Sequence, residues 1–170
     1  MLLFVTLAAI CGTASPHLDH PTAIVLGRRL GPVRYGEPHR EISETLGSGL
    51  PVQLGDRVFI SYPMSHIYVE YPPIWVRDGF EQPSRRVHVA NPTAAAIVMT
   101  RSAQYKTHSG LGVGSSLRQL QQRVLVSCFI DIGMSTPTHC QYESPTATTV
   151  FSINPKTKRV SQVAIVPANA

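Results

Sequence analysis

Nucleophilic chemistry needs a serine or cysteine beside a base and an oxyanion donor, and this chain supplies fragments of that set. Ser115 and Ser116 stand where a helix should begin, among free backbone N–H groups. No Gly-x-Ser-x-Gly elbow surrounds them, and a hydroxyl in that position serves equally as a helix cap. Cys128 and His139 can be drawn as a thiol–imidazole pair, but Cys140 competes for the same sulfur as a disulfide partner. Gly110, Gly112 and Gly114 lead into a helix, with Asp131 downstream, as a dinucleotide site would require. The spacing after Gly112 is one residue short, however, and Tyr105-Lys106-Thr107-His108 is not a buried parallel strand. A tight entry into a packed helix explains the glycines better. Among the histidines, His17 and His20 with Asp19 form the densest group. His39, His66, His88, His108 and His139 are scattered without ligand spacing. These residues therefore predict no catalytic, cofactor or metal site.

The cysteines bear on compartment. Met1 to Ile10 carry no charge and are followed by Gly12, Thr13, Ala14 and Ser15, which reads as a secretory signal over residues 1–14, although no basic residue precedes the apolar run. That run is too short to be a membrane span, which needs about 20 apolar residues. Cys11 suggests lipid attachment, but Ile10 is bulkier than the residue expected before a lipidated cysteine. Signal removal leaves Cys128 and Cys140, an even pair that predicts a disulfide in an oxidising compartment; two free thiols are the alternative. The expected location is secreted, periplasmic or at the cell envelope.

The formal charge of +5 comes mainly from arginine, in the separated groups Arg28/Arg29, Arg85/Arg86 and Lys156/Lys158/Arg159. Without aromatic residues interleaved, these groups do not form a nucleic-acid-reading surface. They read as a solvated basic face, with an acidic partner or anionic surface as the alternative.

The elements that would position a binding site come from a weak internal repeat. Shifting Val33–Leu46 by 78 positions places it on Leu111–Val124 without a gap: Val33 over Leu111, Gly36 over Gly114, Ile42 over Leu120 and Leu46 over Val124. Ile42 and Leu46 fall on one face of a short helix, and Ser116 with Gln119 predicts a capping box at the second. Strand-like segments follow each helix: 58–62, 67–71, 74–77, 86–90 and 96–101 in the first half, then 126–130, 140–143, 148–153 and 160–166 in the second. The predicted fold is α+β, two tandem units each packing a short helix on a small antiparallel β-meander. An irregular leader spans 15–29, the first unit 30–107 and the second 108–170.

The run Leu30-Gly31-Pro32-Val33-Arg34-Tyr35-Gly36, the Leu46-Gly47 helix end, Tyr105-Lys106-Thr107 and Gly110-Leu111-Gly112-Val113-Gly114-Ser115-Ser116-Leu117 resemble exported bacterial proteins of the BamE-like and β-lactamase-inhibitor-protein-like group. The resemblance spans about residues 30–167 and departs from the group at Glu37-Pro38. It implies helix-on-sheet units in tandem and a role in binding proteins, with no binding residue transferable position by position.

The stretch from Ile67 to Phe80 gathers aromatic side chains near a turn. Tyr68, Tyr71, Trp75 and Phe80 are its candidate partner-binding residues. Alternation sets Tyr68 with Glu70 and Tyr71 with Ile67 and Val69, so one set belongs to a core; Trp75 fits core or interface. The expectation is an exported, non-enzymatic module that binds a protein through a sheet face or hairpin loop. A small secreted or envelope hydrolase is the alternative.

Overall fold

The computed structural model describes residues 21–55, 57–71 and 94–168. The expected signal at 1–14, the expected strands at 74–77 and 86–90, and the candidates Trp75 and Phe80 lie outside these residues.

The chain runs through β1 (Ala23–Val25), β2 (Arg29–Leu30), β3 (Val33–Arg34), α1 (His39–Leu46), β4 (Leu50–Leu54), β5 (Arg57–Tyr62), β6 (Ile67–Glu70) and β7 (Ile97–Thr100). It continues through β8 (Lys106–Thr107), α2 (Leu117–Arg123), β9 (Ser127–Phe129), β10 (His139–Glu143), β11 (Ala147–Asn154) and β12 (Arg159–Pro167). Eight strands form one antiparallel sheet in the order β4-β5-β6-β7-β12-β11-β10-β9, and four form a small sheet, β3-β2-β1-β8. No described helix is long and apolar enough to cross a membrane.

This corrects the expected fold class. With 46% of the structure in strands and 14% in helix, the protein is mostly β, and its two helices do not define tandem α+β units. Two pairings overturn that expectation. β7 joins β12, which fuses the strands of both halves into one sheet. β1 pairs in parallel with β8, Ala23 opposite Lys106 and Ile24 opposite Thr107, so the stretch expected to be an irregular leader is a sheet strand from residue 23. Short strands with remote partners carry too little local pattern to be read in advance.

Alternation along the strands gives the large sheet two different faces. Tyr62, Ile67, Val69, Val98, Phe151, Val163 and Ile165 point into the main core, where Ile24, Leu30 and Val33 from the small sheet meet them. β2 lies against both β7 and β12, so the small sheet covers the junction between the halves. Each helix sends one fully buried side chain into the same core, Ile42 from α1 and Leu120 from α2.

The helices are fixed by matching backbone contacts at positions 36–37 and 114–115, which the 78-residue shift superposes. Gly36 N donates to Ala95 O (3.0 Å) and Ala95 N donates to Glu37 O (2.9 Å). Correspondingly, Gly114 N donates to Val160 O and Val160 N donates to Ser115 O, both at 2.8 Å. The helix starts differ chemically. Ser116 forms the capping box with Gln119, whereas Pro38 caps α1 without a side-chain hydrogen bond, and α1 therefore relies more on its packing.

Truncation of either buried helix residue should leave a cavity with no nearby chain to fill it. Ile42→Ala and Leu120→Ala are each expected to lower stability by about 2–5 kcal/mol in urea titration. A loss below about 1 kcal/mol at either position would mean that its helix is not docked on the sheet.

Candidate functional site

The second face of the large sheet is covered by no described element, and its composition changes halfway across. On the β4 side, Val52, Leu54, Phe59, Tyr68, Ile97, Met99, Ala164 and Val166 form a continuous apolar strip. On the β9 side, the register brings Ser152, Thr148, Gln141 and Ser127 to the same face with Val150 and Phe129 among them, and the surface becomes more polar. Phe59, Met99 and Ala164 are buried and Val52, Leu54, Tyr68, Ile97 and Val166 half-buried, so the strip is a second, small hydrophobic cluster.

A shallow trough of about 380 Å³ crosses the strip, lined by Leu54, Gly55, Arg57, Phe59, Met99, Arg101 and Gln162. Phe59 and Met99 supply its apolar floor and the two arginines its charge. Arg57 pairs with Glu70 at 3.1 Å, and Arg101 Nε donates to Gln162 Oε1 at 3.1 Å.

The four aromatic candidates do not make one described surface. Tyr68 lies on the open face, opposite Met99 and beside Phe59. Tyr71 packs on the other face, against the main core, with its ring edge-on to His39 at 5.1 Å. Burial pushes the Tyr71 phenol well above its ordinary range, and the neighbouring Tyr62 hydroxyl and the Glu37 carboxylate add to the effect. The Tyr62 and Tyr71 hydroxyls are buried, and neither reaches hydrogen-bond geometry with any group. Burial also raises Tyr105, a shift opposed by the Gln104 side chain, while the Tyr105 hydroxyl donates to Ser65 O.

The groups weighed for chemistry have structural partners. Cys128 and Cys140 are disulfide-bonded and face each other across β9 and β10. His139 stacks on Phe129 at 5.1 Å instead of approaching a thiolate. Ser115 Oγ accepts from Gly112 N at 3.1 Å, and Ser116 Oγ from Gln119 N at 3.2 Å. A Cβ at position 112 would collide with the Tyr105 carbonyl, so Gly112 serves a close backbone approach. Among the described residues, no three His, Cys, Asp or Glu side chains converge as metal ligands.

The apolar strip was missed in the sequence because its members are spread over five strands, the last of which, β12, joins β7 from far along the chain. Alternation in Ile67-Tyr68-Val69-Glu70 was its only readable trace. No known family model matches the chain, and no curated protein or solved structure does so either.

Two measurements follow from these contacts. Reduction of Cys128–Cys140, or its replacement by paired alanines, should cost on the order of 3 kcal/mol for a loop of this length, read as a lower urea midpoint. An unchanged midpoint would show that the cross-link does not constrain the unfolded chain.

The second concerns pH. The folded Tyr71 phenol holds its proton above the unfolded value of 10.0, so the folded state binds more protons there and stability falls as pH rises past about 10. Tyr71→Phe should flatten that alkaline slope, leaving the part due to Tyr105. A slope identical to wild type would place the titration elsewhere.

Proposed function

We propose that this chain is an exported, non-enzymatic protein-binding module that meets its partner with the apolar half of the open sheet face. The observation that carries this reading is the Val52–Phe59–Tyr68–Ile97–Met99 strip, large apolar side chains, Phe59 and Met99 buried and the others half-buried, on a sheet face that no described element covers. Contiguous apolar surface bordered by polar residues is characteristic of protein contact sites, and Tyr68 supplies the rigid amphipathic ring common at their centres. Arg57 and Arg101 at the margin give orientation to a partner with acceptor groups.

Export is supported by the apolar, uncharged run Met1–Ile10 and by a disulfide in the fold, which persists in oxidising compartments and is uncommon in reducing ones.

The experiment is quantitative capture of partners from secreted and envelope fractions, comparing wild type with Tyr68→Ala and with Gln141→Ala on the polar half. Tyr68→Ala should weaken capture about tenfold or more, in the range of an interface anchor, while Gln141→Ala should leave it unchanged. Equal capture by wild type and Tyr68→Ala would overturn the assignment of the interface to this half of the face.

A further inference from the structure

Eight large apolar side chains are exposed among the described residues, and four of them, Phe129, Ile130, Ile132 and Met134, fall within one six-residue stretch. Scattered exposed apolar residues need no explanation, but a contiguous group does. Here the group is held on a fixed mount. Met134 N donates to Asp131 O at 3.0 Å with Gly133 at φ 82°, a type II turn that puts Ile132 at its corner, fully exposed. The base is closed by the Cys128–Cys140 disulfide, by Thr138 N donating to Phe129 O (3.0 Å) and by Ile153 N donating to Thr138 O (2.7 Å). A tip restrained in this way loses little conformational freedom when it binds.

Asp131 gives the tip its chemical character. It is the only Asp, Glu, Lys or Arg between Val126 and Tyr142, and among the described residues it has no ion-pair partner. An acid between two isoleucines, with no basic residue nearby, disfavours a bilayer as the surface that receives the tip. The receiving surface should instead be apolar with a cationic margin. The trough on the open face has that composition: Phe59 and Met99 form the floor, and Arg101, held only by the neutral Gln162 amide, meets no carboxylate among the described residues.

We propose that the β9–β10 tip of one copy docks in the trough of a second copy, with Ile132 on Phe59 and Met99 and Asp131 facing Arg101. This rests on the reading of the apolar half of the open face as a protein-binding surface. Tip and trough are different patches, so the contact is head-to-tail, and each added copy offers one more of each.

Sedimentation of the full chain over a wide concentration range tests this. Wild type should exceed its 18.6 kDa mass as concentration rises. Asp131→Arg and Arg101→Glu, both at the surface, should each weaken association about tenfold or more, since each sets like charges against one another. An equimolar mixture of the two should associate again, because every tip then finds a trough of opposite charge on the other variant. Ile132→Ser should weaken association, and mixing it with Arg101→Glu should restore one contact per pair, intact tip to intact trough, whereas mixing it with Asp131→Arg should restore none.

A wild type that stays at the mass of one chain, charge variants that associate as well as wild type, or a mixture without rescue would each overturn the proposal. Association through the apolar N-terminal run would leave the variants unaffected and counts as the second of these outcomes. A single-chain wild type that still loses its captured partner on Tyr68→Ala overturns self-docking alone. One whose capture survives Tyr68→Ala overturns the open-face reading with it.

Discussion

The pairing of β7 with β12 is the contact on which the rest of the structure depends. Its register is centred on Met99 opposite Ala164, with Val98 opposite Ile165 and Thr100 opposite Val163 on either side. That short ladder turns two groups of strands into one sheet and sets Val98, Val163 and Ile165 on the buried face, where the small sheet covers them. Without it, β7 and β12 would each be an unpaired edge, and β2 would have no continuous surface to lie on. Because side chains alternate with a period of two, the same register decides that Met99 and Ala164 face outward. One ladder thereby builds the core and places the middle of the apolar strip on the second face.

The two faces of the sheet solve different problems. The core face is filled from three directions by the small sheet, α1 and α2, and its largest side chains are almost completely hidden. The other face is covered by no described element. Its more polar half is partly exposed, and in its apolar half Phe59 and Met99 belong to one buried cluster while the rim carries Arg57, Glu70 and Arg101. The charged rim limits the apolar area presented to solvent and also gives direction to whatever settles on it.

Features set by local chemistry were legible in the sequence. The capping box of Ser116 and Gln119, the buried positions Ile42 and Leu120, the Cys128–Cys140 pair and the turn where Asn154 Oδ1 accepts from Lys156 N and Thr157 N all depend on residues close in the chain. The fold class was misread because the pairings that change it, β7 with β12 and β1 with β8, join strands far apart in the chain, and several strands are too short to show a pattern. β4 contains Pro51, which argues against a strand unless that strand lies at a sheet edge, as this one does. β1 has only Ile24 as a buried residue, too little for a periodicity to show. Tyr68 was correctly paired with Glu70 by alternation, but its neighbours Phe59 and Met99 could be placed beside it only once the strand order was known.

The small sheet has a consequence for the order in which the chain can fold. β1 needs β8, more than eighty residues further on, and Gly27 N, just past β1, donates to Thr149 Oγ1 at 2.7 Å, almost at the far end of the protein. The earliest described segment can therefore complete its hydrogen bonds only after nearly the whole chain is present. Closing such distant contacts requires a large loss of chain entropy before any of them can stabilise the fold, which slows folding and favours a concerted final step. During synthesis β1 can pair with its neighbour β2, but its other edge stays unpaired until β8 has been made. In a chain that has to be threaded through a narrow passage before it folds, this delay keeps it in a form that can pass.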